Sequence, residues 1–321
     1  MLRLLVALFL VLITVSCDSN SNSKLEQEIE KIPIDLKVIR FDKKFAAVSS
    51  ETLPALKNEF PYLFPEVFTD SMWVAKINDT IQQEINTEVE KGFPDFTAEE
   101  DGLLNLFQHT KYYFPSFKTP QVITITSEVD YRNKVLLATD YLFISLDTYL
   151  GKEHPFYIGL QEYLKKNFEK SQILPDVAEK IGQVYVPRPE DKTFLAHMLY
   201  YGKLLYLKDV LLPKIEDFKK IGYTQDELDW AAANEDQVWR YFVERELIFD
   251  SDTDLYTRFL YPAPFSKFYL ELDAESPARL GQYIGWQIIR QFMEKNSVSV
   301  QDMLATDAET IFNKANYKPK K

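Results

Sequence analysis

The chain has 321 residues, with 37 Lys and Arg against 49 Asp and Glu, a net charge of -12. That balance repels nucleic acid and anionic lipid head groups, so neither is an expected partner. Only nine glycines occur, and no GxGxxG or GxxxxGK[ST] is present, which argues against phosphate-binding loops; 23 Phe and 19 Tyr supply a large aromatic core instead.

Behind Arg3, the apolar run Leu4 to Val15 is too short for a finished bilayer span, which needs about 20 residues. It ends in Thr14-Val15-Ser16-Cys17, and Cys17 is the only cysteine. A small residue and then Cys at the end of such a run is the pattern of a bacterial lipoprotein. In that pathway the thiol is acylated and cleavage leaves the Cys as residue one. Leu is commoner where Thr14 stands. Each buried CH2 contributes roughly 0.8 kcal/mol, so several acyl chains, palmitate among them, hold a protein on a membrane where one chain does not. Residues 1–16 are therefore expected to be a signal peptide and Cys17 the lipidation site. With that thiol used, no disulfide is available and packing must supply the stability.

Asp18 to Lys31, Ser/Asn-rich and then Glu/Lys-rich, reads with Cys17 as a flexible tether over residues 17–31, leaving 32–321 as a single domain. Ile34 to Phe45 alternates and reads as a first strand. Helical patterns follow over Glu51 to Phe60, Trp73 to Val89 and Ala98 to Phe114. Gln121 to Val129, Lys134 to Ala138 and Tyr141 to Asp147 are β-branched or apolar runs separated by turn residues, and they read as strands.

Beyond them the pattern is helical again, over Phe156 to Phe168, Leu174 to Val184 and a long apolar stretch, Glu190 to Leu211. Thr224 with Glu227 forms a capping box, and another helix is expected over Glu235 to Ile248. Ser276-Pro277 offers an N-cap and first-turn proline for a helix over Arg279 to Met293. In that helix Gly281 and Gly285 lie one turn apart and admit a close neighbour. Ser299 with Asp302 caps a last helix through about Asn313. A small β-sheet packed with many helices makes the fold α+β, mainly helical.

No catalytic constellation is complete. His109, His154 and His197 are far apart, and none is paired at metal-ligand spacing. A zinc peptidase helix carries His-Glu-x-x-His, because residues four apart share one face for the metal and the Glu activates water. Here the long helix reads His197-Met198-Leu199-Tyr200-Tyr201. A thioether stands for the base and a phenol for the second ligand. Strands leading into such a helix give a degenerate zinc-peptidase-like order, and an enzyme on this scaffold would use His197 with acids such as Glu244 or Glu246. Asp250 to Asp254 lacks the Gly and Glu of a calcium loop and reads as an acidic surface loop. Tyr112 to Phe114 and Phe265 to Tyr269 read as core aromatics.

Several stretches resemble the gliding motility lipoprotein GldB family of Bacteroidota. They are Arg40-Phe41-Asp42, Tyr141 to Gly151, Met198 to Lys203 with Leu204-Leu205-Tyr206, Trp239 to Glu244, Tyr261 to Phe265, and Ser276 to Arg290. The last block is also similar to putative zinc peptidases. The resemblance implies a lipid-anchored envelope protein needed for gliding and for the associated type 9 secretion machinery, with Cys17 as the one functional residue carried over. It implies partners among motility or secretion proteins of the cell envelope. No catalysis, cofactor, metal or small-molecule substrate is expected. The body would face the periplasm, from either membrane.

Overall fold

The computed structural model describes residues 18–271 and 273–320, with side chains from Lys24 onward. The signal peptide and Cys17 lie outside the described residues. Among the described residues, no helix is long and apolar enough to cross a membrane.

Four short strands form one mixed sheet: β1 (Val38–Arg40), β2 (Gln121–Ile125), β3 (Val135–Leu137) and β4 (Tyr141–Ser145). Their order is β1-β2-β4-β3, with β1, β2 and β4 parallel and β3 antiparallel to β4. The register puts Val38, Val122 and Leu142 in one row and Ile39, Ile123 and Phe143 in the next. Successive side chains point to opposite faces, so the rows alternate between two cores. Val38, Val122, Leu142 and Ile144 join the large core, which runs into the helical body. Ile39, Ile123 and Phe143 join a smaller one built by Phe41, Phe45, Leu56, Phe60 and Phe64.

The helical body is organised on two long helices, Phe194–Leu211 and Leu280–Lys295. They cross where Gly202 meets Gly285. A Cβ on Gly285 would lie 2.0 Å from the carbonyl oxygen of Met198, and one on Gly202 would lie 2.4 Å from the carbonyl of Gly285. The close neighbour expected for the glycine pair is therefore the helix that carries His197. Gly281 sits against Phe259 and Leu260, at 2.9 Å by the same measure. Trp286, Ile284, Ile288 and Ile289 are fully buried along this seam.

A mainly helical α+β fold is what the sequence predicts, but several elements differ in extent. The first strand covers only Val38–Arg40 and turns into a helix, Phe41–Ala46. Phe41 and Phe45 pack together at 6.0 Å, and the Asp42 carboxylate takes Arg40 Nε at 3.0 Å, Arg40 Nη2 at 2.7 Å and the Thr124 hydroxyl. Asp79 divides the Trp73 to Val89 run by accepting from the amides of Ile81 and Gln82, which start a helix at Thr80. Phe156 to Phe168 holds only a 3-10 turn and one turn of helix, Glu162–Lys165, because Gly159 has φ +89° between them.

The Thr224–Glu227 capping box is present, with bonds of 3.2 and 2.8 Å. Ser299 caps only Val300–Ala305, and Asp307 caps a separate helix, Ala308–Ala315. Ser276-Pro277 does not start the helix. The Ser276 hydroxyl donates to the Asp273 and Ser266 carbonyls, and the Ala278 carbonyl accepts from Tyr223 at 2.5 Å, so this segment is held in a turn and the helix begins at Leu280.

Part of the segment expected as a tether over residues 17–31 is described. Asp18–Ile29 is helical, and its end docks on the body. Ile29 is buried, and Gln108 donates to the carbonyls of Glu30 and Ile32. Glu26 Oε1 lies 3.1 Å from Nε2 of the buried His109.

Candidate functional site

Three of the blocks that carry the family resemblance meet at one cavity of about 180 Å³. The Phe194–Leu211 helix contributes Tyr201, Leu204, Leu205 and Lys208, and the loop before the glycine helix contributes Leu260, Tyr261 and Pro262. The first turn of Leu280–Lys295 contributes Gln282, preceded by Arg279. Glu179 closes the wall from the Ile173–Tyr185 helix.

The polar groups here are held firmly. Lys208 is 4% exposed, and its ammonium donates to Glu179 Oε2 at 2.8 Å and to the Lys220 carbonyl at 2.9 Å. The Lys208 charge keeps the Glu179 carboxyl below its ordinary range. Gln282, also buried, donates to the Leu260 carbonyl at 2.5 Å and so ties the loop to the helix. Burial raises the Tyr201 hydroxyl to about 12, so it stays a neutral donor and acceptor. Arg279 has a left-handed backbone, φ 61° and ψ 27°, at the helix N-cap. That conformation is uncommon for a residue with a side chain. Its Nη2 donates to the Gly222 carbonyl at 2.9 Å while the guanidinium lies 5.5 Å from the centre of the Tyr223 ring.

Tyr201, the residue in the second-ligand place of the peptidase pattern, thus lines the cavity, whereas His197 is not among the residues lining it. The His197 ring packs on Tyr256 at 4.3 Å, and Tyr256 in turn lies 6.3 Å from Tyr261. Burial lowers the His197 pKa, with Asp191 opposing. Among the described residues no hydrogen bond reaches the His197 ring, and no three His, Cys, Asp or Glu side chains come together as metal ligands do. Glu244 and Glu246 are exposed; Glu244 borders a different hollow, beside Trp230 and Tyr241. Asp250, Asp252 and Asp254 form an exposed chain of turns, the Asp250 carboxylate accepting from the Asp252 amide and Asp252 from Asp254.

Sequence reasoning singled out His197 and Tyr201 and passed over Glu179, Lys208 and Arg279. Their spacing is unremarkable, and no sequence motif links them.

Two further polar networks lie elsewhere in the fold. Asp209 accepts from Trp286 Nε1 at 2.8 Å, from Arg290 Nε and Nη2 at 2.8 and 2.7 Å, and from Lys220 at 3.0 Å. It fastens both long helices together beyond Lys208. At the end of β4, the fully buried Asp147 accepts from the Ser127 and Val129 amides and holds Glu128 and Val129 at positive φ. Burial raises the Asp147 pKa, against the pull of those amides.

A short mixed sheet backed by two glycine-crossed helices, with a charged cavity at their junction, makes this a mainly helical α+β protein. The chain belongs to the gliding motility protein GldB family, whose family model matches residues 22–319. No curated protein and no solved structure matches it. A role in gliding motility follows from that membership.

Proposed function

We propose that this protein is a lipid-anchored component of the cell envelope that serves gliding motility and the associated type 9 secretion machinery by binding other subunits, without catalysis. Family membership over residues 22–319 carries the reading. The Thr14-Val15-Ser16-Cys17 pattern supports the anchor, with residues 1–16 removed and Cys17 acylated. Residues 32–321 then act as a single domain facing the periplasm.

Crosslinking in intact cells followed by recovery of the anchored protein tests the reading. Motility or secretion subunits should be recovered, and the membrane from which they come identifies the one that holds the anchor. Normal colony spreading and secretion after gene deletion would refute it. Cys17→Ala should release the protein from membranes on fractionation, and full retention would refute the anchor. Metal analysis separates this reading from a divergent peptidase using His197: stoichiometric zinc that disappears in His197→Ala would favour the enzyme.

A further inference from the structure

We infer that the cavity between the two long helices binds a small carboxylate, an apolar amino-acid unit either free or at the end of a peptide, with Arg279 as the anion contact. This does not depend on the partner-binding reading.

The charges argue for an anion. Lys208 is already matched by Glu179 at 2.8 Å, whereas Arg279 has no carboxylate within 4.0 Å among the described residues. Lys208, Arg279 and Glu179 leave one net positive charge among the lining side chains. The Gly222 carbonyl and the Tyr223 ring orient the guanidinium without neutralising it. A planar fork with donors to spare suits a carboxylate, which it can bind in a bidentate way.

Glu179 indicates what else the ligand carries. It lines the cavity and keeps 43% of its side-chain surface accessible. Its second oxygen accepts no hydrogen bond from the described residues, and it stays ionised beside Lys208. A ligand with an ammonium or amide N–H a few bonds from its carboxylate would satisfy both walls. Leu204, Leu205 and Leu260 offer apolar surface for a side chain. A cavity of about 180 Å³, open to solvent on the Glu179 side, has room for one amino-acid unit.

Titration calorimetry on the full-length protein in detergent, with leucine, N-acetyl-leucine, leucinamide and phosphate, tests the inference. One or both of the carboxylates should bind saturably, and leucinamide and phosphate roughly ten- to a hundredfold more weakly, as expected for loss of a charged hydrogen-bonded contact. Tighter binding of leucine indicates a free amino acid, and tighter binding of N-acetyl-leucine indicates a chain end. Arg279→Gly removes the guanidinium while suiting the left-handed backbone, so it should abolish binding with the unfolding midpoint retained. Glu179→Gln, at a half-exposed position, should weaken leucine about tenfold and leave N-acetyl-leucine within about threefold. No saturable binding of either carboxylate would overturn the inference. So would equal binding of leucinamide or phosphate, or unchanged carboxylate binding in a folded Arg279→Gly protein.

Discussion

Gly285→Ala tests the helix crossing on which the body rests. The added Cβ would stand 2.0 Å from the Met198 carbonyl oxygen and 2.6 Å from its carbon, both backbone atoms of the facing helix. No rotamer change can relieve that contact, and Cβ atoms essentially never come within 3.0 Å, so the helices must part by at least the missing 1.0 Å. A gap of that size forfeits a quarter to a half of each van der Waals contact across the seam, where Trp286, Ile288 and Ile289 are fully buried. Overpacking of this kind costs about 1–3 kcal/mol and more when backbone opposes backbone, while alanine regains up to about 1 kcal/mol of helix propensity. The net expectation is a loss of about 2–4 kcal/mol. With a urea slope of about 3 kcal/mol per molar, the midpoint should fall by about 1 M.

Gly182→Ala is the control, since it makes the same change in another helix. There the nearest atoms are the side-chain tips of Leu204 and Leu207, at 3.1 and 3.5 Å, which can move. It should be neutral or stabilising by up to about 1 kcal/mol. A Gly285→Ala midpoint equal to wild type, or equal effects of the two changes, would refute the crossing as described.

Three other outcomes follow from buried polar groups. Burial lowers Lys203 to about 8, against 10.5 in an unfolded chain, while its ammonium donates to the Leu304 and Thr306 carbonyls. Above about pH 8 the unfolded chain holds more protons than the native one, so stability should rise from about pH 8 to 9.5. Unfolding midpoints across that window should lose this rise in Lys203→Met. Asp209→Asn leaves Arg290 and Lys220 sharing only Asp217, and should cost about 1–3 kcal/mol in urea unfolding. Glu26→Ala removes the contact to His109 and should speed hydrogen exchange across residues 24–31 while leaving the sheet protected; unchanged protection there would mean that Ile29 and Gln108 suffice.

Local chemistry was legible where local chemistry decides. The β-branched or apolar runs Gln121 to Val129 and Tyr141 to Asp147 predict strands that the sheet contains, and the Thr224 and Ser299 caps fall where the polar spacing puts them. Ser276-Pro277 is the opposite case. By spacing alone it starts a helix, yet Ser266, ten residues earlier, and Tyr223, more than fifty residues away, claim its groups and move the start to Leu280. The segment before residue 32 gives a related case: its polar composition says nothing of a single Ile29 that a distant surface can bury.

The same reasoning explains what happened at the cavity. Gly281 and Gly285 announce that something comes close, but only the fold identifies it as the helix bearing Tyr201 and Lys208. That approach brings the first turn of the glycine helix, and with it Arg279, to the wall that holds Glu179. The peptidase comparison drew attention to a helix that lines the cavity, through Tyr201 and not through His197. His197 lies against Tyr256, outside the cavity, while the charged groups that do line it come from positions 179, 208 and 279, which no sequence motif links. Side chains this far apart in the chain are brought together by the Gly202–Gly285 crossing. A substitution that parts the helices should therefore disturb the cavity as well as stability.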